Sequence, residues 1–418
     1  MHDQEPVRDR PGRRLTTKET AEVLGVKPET VYAYVSRGQL SSRREPGGRA
    51  STFDAGEVEA LARRNRRESA GSPGSGGELS VRTRITLIDD DRYFFRGVDA
   101  TELAVRHSYE EVAEWLWTGR LTPGVTFTAP EATVEVARRA VNALPEHTTP
   151  TDRLRVAAIA AAAEDPLRFD LSEQAVLNSA RILIPTLVAA LPPKPFGNRD
   201  DGTLAHRLWG RLTGREADEA SLRALDTALA LLVDHDLAAS TLAVRVAASA
   251  RAHAYAAVSA GLGVLEGPLH GAASGLAHRM LLDVLDRGTA VPVIADELRA
   301  GRRIPGLGHR LYPGEDPRAR VLFALLEQVP RAEPALLAAR DIVATTARHT
   351  SLHANVDLAL AVLTASTGMP STAGETIFAV ARTAGWIAHA LEEYGERPLR
   401  MRPSGHYVGP RPPQPLPE

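Results

Sequence analysis

GLGVLEGPLHGAASGLAH, residues Gly261 to His278, sets one histidine on a glycine-flanked break between two helical patterns. The chain on either side is rich in Ala and Leu, and Gly267, Pro268 and Gly271 interrupt it around His270. Proline has no amide donor and glycine leaves helical geometry at little steric cost, so a helix stops and restarts here. A side chain at such a break can face a cleft while its backbone meets a helix terminus. The pattern recurs twice. GLGHRLYPGEDPRAR places His309 behind Gly306 and Gly308, and LHANVDLAL places Asp357 at the entrance to an apolar run. Three polar groups at three breaks point to a composite site, although each alone reads more simply as a satisfied core or surface residue.

Working outward from these breaks, nearly everything after Thr101 reads as helix. SYEEVAEWLWTG has Ser108 as cap and Gly119 as stop, and ATVEVARRAVNAL, TDRLRVAAIAAAA, SEQAVLNSARILIPTLVAAL and ADEASLRALDTALALLVDH follow. Several are apolar nearly all round and so belong in a large multi-helix core. Val81 to Val98, β-branched and aromatic around the turn Asp89-Asp90-Asp91, predicts a short β-hairpin. The fold class is mainly α, a multi-helix body with a short β-hairpin at its start. His253, His278 and His389 on Ala-rich helices, and Trp115, Trp117 and Trp386, read as packing residues.

The 418 residues leave room for two or three domains. There is no Cys, which rules out a disulfide frame, a thiolate nucleophile and a Cys-ligated metal, and fits a reducing cytoplasm. MHDQEPVRDRPGRR lacks the apolar core of a signal peptide, and no apolar run is long enough to span a bilayer, so a soluble cytoplasmic protein is expected, with no membrane partner. The net charge of −2 hides an asymmetry: Pro11 to Arg67 carries 12 Lys and Arg against 7 Asp and Glu, an excess of +5, leaving −7 on the rest. A basic module joined to an acidic body implies different partners for the two.

Residues 11–67 form that module. Thr16 to Glu19 is a capping box, Gly25 closes the first helix, and Pro28 suits the first position of a second. Val31 and Val35 face the first helix at i, i+4 spacing, with Tyr34 among the outward positions. Pro46-Gly47-Gly48 makes a hairpin tip, and Asp54 caps a third helix that ends in Arg63, Arg64, Arg66 and Arg67. This order resembles the winged helix-turn-helix of the MerR and excisionase families, with Phe53 in the aromatic place. The resemblance implies DNA binding through Thr30, Tyr32 and Tyr34 on the second helix and Arg43, Arg44 and Arg49 on the wing. Residues 68–78, ESAGSPGSGGE, read as a flexible linker spanning about 18 Å on average. Residues 410–418 are a Pro-rich tail.

Residues 79–409 resemble citrate synthase. The resemblance rests on VDHDL, GPLHGAASGLAH, PGLGHRLYPGEDPRAR, LHANVDLAL, IFAVARTAGWIAHALEEY and MRPSGHYVG in that order, and on the early VRTRITLIDDDRYFFRGVDATELAVRHSYEEVAEWLWTGRL. It implies a large and a small helical domain, the small one at about 270–365, and condensation of acetyl-CoA with oxaloacetate. Such a reaction needs a base at carbon, donors for an enolate and a ketone oxygen, and cations for two carboxylates. Asp357, beside Leu358-Ala359-Leu360, can be desolvated so that its pKa rises toward working pH. His270 and His309 can donate to developing oxyanions, and arginines offer planar forks to carboxylates. The resemblance makes His270, His309 and Asp357 catalytic and assigns His235, Arg318, Arg382 and Arg402 to oxaloacetate. It gives Gly306, Leu307, Gly308 and Arg310 to CoA, and it has Arg402 reach a neighbouring subunit, implying a homodimer. No metal or cofactor is called for beyond acetyl-CoA as substrate.

Departures from the family pattern are Leu232 and Asp236 around His235, Ala272 and Ser274 after His270, Pro313, and His353-Ala354 before Asn355. They leave every catalytic group in place: Pro313 and the changes around Ser351-Leu352-His353 bear on CoA affinity, and Ala272 and Asp236 on which acyl-CoA or keto-acid is accepted. The alternatives are 2-methylcitrate synthase using propionyl-CoA, or a DNA-binding regulator whose body senses metabolites.

Overall fold

The computed structural model describes residues 14–24, 26, 28–36, 40–44, 51–58, 61, 81–195, 202–267, 270–271, 273–403, 406–411, 413–414 and 416. Contacts divide the chain into two units, Met1–Arg82 with Pro403–Glu418, and Thr83–Arg402. The wing tip, Arg49, the side chain of Arg44, the basic end of the third helix, the linker, Pro268 and Ala272 lie outside the described residues.

In the first unit β1 (Arg14–Thr16) leads into α1 (Thr17–Leu24), then α2 (Pro28–Ser36), β2 (Ser42–Arg44) and β3 (Ser51–Asp54). The capping box is present: Thr16 N–H donates to Glu19 Oε2 at 2.8 Å and Glu19 N–H to Thr16 Oγ1 at 3.3 Å. The helix that follows β3 is capped as expected, Glu57 N–H donating to Asp54 Oδ1 at 3.1 Å. The sheet order is β1-β3-β2, both pairs antiparallel, with Leu15 opposite Phe53 and Arg43 opposite Thr52. β1 was not foreseen, because three residues carry too little periodicity to be read as a strand. Leu15, Ala21, Val31, Leu40, Phe53, Val58 and Leu61 make the core. Tyr34, read as outward, is half-buried and packs on that core beside Val35, whereas Tyr32 is 54% exposed. At this spacing an amphipathic tyrosine can lie along the helix and cover apolar surface.

The second unit opens with β4 (Thr86–Asp89), β5 (Arg92–Phe95) and β6 (Val98–Asp99), an antiparallel sheet. The third strand exists because Arg96 (φ 47°) and Gly97 (φ 82°) are both left-handed, as a tight two-residue hairpin turn requires. Asp99 then caps α3 (Ala100–Arg106), accepting from Thr101 N–H and Glu102 N–H. α4 (Tyr109–Thr118) has the expected Ser108 capping box, and Gly119 ends it at φ 71°. The remaining helices are α5 (Glu131–Asn142), α6 (Pro150–Ala163), α7 (Glu173–Ala190), α8 (Leu204–Leu212), α9 (Glu219–Leu232), α10 (Ala239–Ser249), α11 (Ala254–Leu265), α12 (Ala273–Arg287), α13 (Ala290–Arg299), α14 (Pro317–Leu326), α15 (Glu333–Ala347), α16 (Val356–Ser366) and α17 (Ala373–Tyr394). The all-α body expected from the sequence is the architecture found.

The 22-residue α17 is the axis of this unit, with α4, α7, α9, α10 and α11 packed on it. Trp386 is fully buried on this helix. Gly385 is required there, since a Cβ would stand 2.1 Å from Val233 O. That close approach presses α17 onto the end of α9, where the site begins. α12, α15 and α16 pack on one another, joined by α13 and α14. Among the described residues no helix is long and apolar enough to cross a membrane.

Candidate active site

The His309 loop and the start of α16 are zipped together by their backbones. Gly308 N–H donates to His353 O at 2.7 Å and Asn355 N–H to Gly306 O at 2.9 Å. Asn355 Nδ2 donates to Gly308 O at 2.8 Å, while Asn355 Oδ1 accepts from Asp357 N–H at 3.0 Å. One side chain therefore caps the helix carrying Asp357 and holds the loop carrying His309. Gly306 sits at φ 78°, and a Cβ on it would lie 2.8 Å from Leu358 Cβ, so the loop reaches α16 only with glycine there.

Asp316 ties the same two segments from beneath. It caps α14, with Pro317 as first helical residue, and accepts from Arg318 N–H and Nε at 3.0 Å and Nη2 at 2.8 Å. Its Oδ2 also accepts from Val356 N–H at 3.0 Å. Burial opposes the Asp316 charge, but the Arg318 guanidinium beside it holds the carboxyl below the usual range. Arg318, expected to offer a whole fork to substrate, instead has Nε and Nη2 engaged by this carboxylate. A buried guanidinium needs a fixed partner.

Around this frame the rings of His309, His235 and Tyr312 meet. His309 lies 4.9 Å from Tyr312 and 5.1 Å from His235 between ring centroids, the latter edge to face. His309 Nδ1 accepts from Leu311 N–H at 3.1 Å. Burial, aided by Arg318, drives its pKa down to about 4. At neutral pH the ring is thus uncharged with its proton on Nε2, a donor. His235 is buried, its Nε2 2.7 Å from Tyr312 Oη, and burial followed by Arg318 and Arg382 holds it well below the ordinary histidine range.

His270 sits on the break between α11 and α12. Its Nε2 meets Ser240 Oγ at 2.7 Å and accepts a longer bond, 3.4 Å, from Ser240 N–H. Ser240 is in the first turn of α10, where backbone N–H groups lack helical partners. Nε2 is therefore the lone-pair nitrogen and Nδ1 carries the proton. Burial, then Arg382, lowers its pKa. Phe378 links His270 (6.2 Å between ring centroids) to Arg382, whose guanidinium stands 4.6 Å over the same ring. Arg382 Nε donates to Leu232 O at 2.9 Å, and burial lowers its pKa to about 10, which leaves it charged. Asp357 is half-buried, and burial raises its pKa to about 6, against the pull of Arg318.

The structure thus gathers His235, His309 and Arg318, and joins His270 to Arg382 through Phe378 and Asp357 to Asp316 through Val356. Arg310 and Arg402 are exposed. Ser274 is buried against α17, where a Cβ on Gly374 would stand 2.7 Å from its Oγ, so it packs helices together. Sequence reasoning missed Ser240, Tyr312, Asp316 and Asn355. The two cap residues were legible, as Asp before Pro317 and Asn before Val356. Ser240 had no local signal, lying 30 residues from its partner.

The profile of the family described as "Citrate synthase, C-terminal domain" matches residues 74–404, and that of "Helix-turn-helix domain" matches 14–66. Citrate synthase of Haloferax volcanii is 32% identical over 80% of this chain and 95% of its own. A Bacillus subtilis protein named citrate/2-methylcitrate synthase is 28% identical over 81% of this chain and 97% of its own. The crystal structure of citrate synthase from Pyrobaculum aerophilum superposes with a TM-score of 0.70 at 27% identity, covering 90% of this chain and 97% of that one. The early sheet, the helical body and the paired histidine loops all fall inside the matched segment, and the chain belongs to the citrate synthase family, enzymes of the transferase class, with a helix-turn-helix domain ahead of the family's fold.

Proposed function

We propose that this enzyme condenses acetyl-CoA with oxaloacetate and water to give citrate and CoA. Asp357 removes a proton from the acetyl methyl group, and His270 Nδ1–H holds the thioester oxygen as negative charge moves onto it. The enolic carbon bonds to the ketone carbon of oxaloacetate, whose oxygen is held by His309 Nε2–H, with His235 beside it. Arg382 and Arg318 face the keto-acid carboxylates, and Arg402 of a second copy completes the set. Water then cleaves the C–S bond and CoA leaves as the thiol. Gly306, Leu307, Gly308 and Arg310 form the CoA loop. No step calls for a metal or cofactor, and a cysteine-free chain suits the cytoplasm. The observation that carries this reading is the pairing of the His309 loop with the head of the helix bearing Asp357, a joint that holds a carboxyl raised to about 6 and a neutral histidine of defined tautomer.

Thiol release should require both oxaloacetate and an acyl-CoA, and acetyl-CoA should exceed propionyl-CoA in kcat/KM. The Bacillus subtilis relative's name supports the second reading, and a reversed preference would establish 2-methylcitrate synthesis instead. Release without oxaloacetate would defeat both. The homodimer is supported by the exposed apolar side chains of Ile159, Leu167 and Phe169, 61%, 72% and 67% exposed, on α6 and the turn after it. A monomeric mass by light scattering would remove the role given to Arg402.

DNA binding is supported by the helix-turn-helix match and by exposed Thr30, Tyr32 and Arg43. Affinity for duplex DNA should fall steeply with salt, with a log–log slope set by the phosphates contacted. Absence of binding at about 50 mM salt would end this reading.

A further inference from the structure

α17 carries Arg382, Gly385, His389 and Glu392 along one face, at spacings of three to four residues. That face meets the end of α9 and the turn after it. Arg382 holds Leu232 O, Gly385 admits Val233 O, and His389 Nε2 stands 3.2 Å from Asp234 Oδ1, both residues fully buried. The Thr86 hydroxyl donates to the other carboxylate oxygen. On the far side of the ring, buried Arg245 places Nη1 2.8 Å from His389 Nδ1 and 2.8 Å from Glu392 Oε2. A guanidinium has donors only, so Nδ1 must accept. The neutral ring then has its single proton on Nε2, aimed at Asp234. The chain of donors runs in one direction, from Arg245 through His389 to Asp234.

We propose that Arg245 and His389 are positioning residues for the keto-acid pocket, fixing Asp234 so that its neighbour His235 is aimed at the substrate and the Leu232 carbonyl stays under Arg382. The inference rests on the reading of His235 and Arg382 as oxaloacetate-binding groups. The turn makes the coupling physical. Asp236 turns the chain directly after the pair at φ 56°, and the two side chains engage different partners, Asp234 with His389 and Thr86, His235 with Tyr312. Anchoring the Asp234 carboxylate at both oxygens therefore sets the direction of His235. The histidine acts at one remove, and α10 serves both halves of the site: Ser240 orients His270 from its first turn, and Arg245 orients His389 from its second.

The test uses the full chain with His389→Leu, His389→Gln and Thr86→Val, read by steady-state kinetics and by calorimetric binding of oxaloacetate. His389→Leu leaves Asp234 and Arg245 short of a partner, and oxaloacetate KM and Kd should rise roughly 10- to 100-fold. The kcat at saturation and the acyl-CoA KM should stay within about 3-fold. In His389→Gln the amide carbonyl can accept from Arg245 and the amide N–H can donate to Asp234, so oxaloacetate KM should return to within about 5-fold of wild type. Thr86→Val removes one bond to Asp234 at a half-exposed position and should raise oxaloacetate KM about 3- to 10-fold, which keeps the test alive if His389→Leu does not fold. Unchanged oxaloacetate KM in folded His389→Leu or in Thr86→Val overturns the proposal, as does a uniform loss in kcat and both KM values. Failure of the glutamine to restore KM in a folded protein does so too. A wild type that turns over while the variants match it sinks the relay alone; a wild type that neither binds oxaloacetate nor releases thiol sinks the pocket assignment and the relay with it.

Discussion

Asp357→Ala is expected to lower kcat for thiol release on the order of 10³-fold while leaving the oxaloacetate KM within a few-fold, the pattern of a lost proton-transfer group. Carbon acids ionise poorly, so a base must be strong enough to take the proton and still be free of it at working pH. Burial achieves this by raising Asp357 to about 6. The same shift fixes the pH profile: the base is active when deprotonated, so the rate should fall as pH drops through about 6. His309, lowered to about 4, stays neutral across that limb and adds no second inflection there. Stability moves the other way. A carboxyl with a folded-state pKa above its unfolded value binds more protons when folded, so stability is lost as pH rises from about 4 to about 6. At pH 8 the penalty is on the order of 2–3 kcal/mol. Asp357→Asn should therefore melt at a higher temperature than wild type at pH 8 while being inactive, a trade of stability for function. A wild-type rate in either variant, or an Asn protein that melts lower, would contradict the assignment.

The helical body was readable because its signals are local. Ser108 and Glu111 close a capping box, Gly119 stops α4, and apolar residues three and four apart, such as Tyr109, Val112, Ala113 and Leu116, mark the buried face. The residues of the site were readable as types at breaks, His270, His309 and Asp357 each beside glycine or a cap. What holds them was not, because it is non-local. The tautomer of His270 depends on a helix N-terminus that begins at Ala239, and that of His309 on the backbone bend at Leu311. Tyr34 shows the same limit in the first unit: periodicity placed it outside, and the sheet closed by β1 gave it a core to lie on. Arg318 was read as a substrate fork, and only burial against Asp316 explains why part of that fork is already occupied.

That pair bears the second large effect, because Asp316 accepts four hydrogen bonds from three groups: the α14 N-terminus, the Arg318 guanidinium and Val356 N–H at the head of the catalytic helix. Asp316→Ala leaves Arg318, 3% exposed, with its charge unpaired. Removing one partner of a buried ion pair costs roughly 3–5 kcal/mol, and the lost cap adds about 1 kcal/mol, not fully additive. A fall in melting temperature of about 5–10 °C follows for a domain of this size. Asp316→Asn should recover little, because its amide N–H group would face Val356 N–H and Arg318 Nη2, donor against donor. The double variant Asp316→Ala, Arg318→Met should be more stable than Asp316→Ala alone, since the unpaired guanidinium, rather than the missing carboxylate, carries most of the cost. It should still be a poor enzyme, because the joint between the His309 loop and α16 has lost the Val356 anchor. If Asp316→Ala melts within about 2 °C of wild type, or the double variant falls below the single, Asp316 is not the joint that holds base and donor in register.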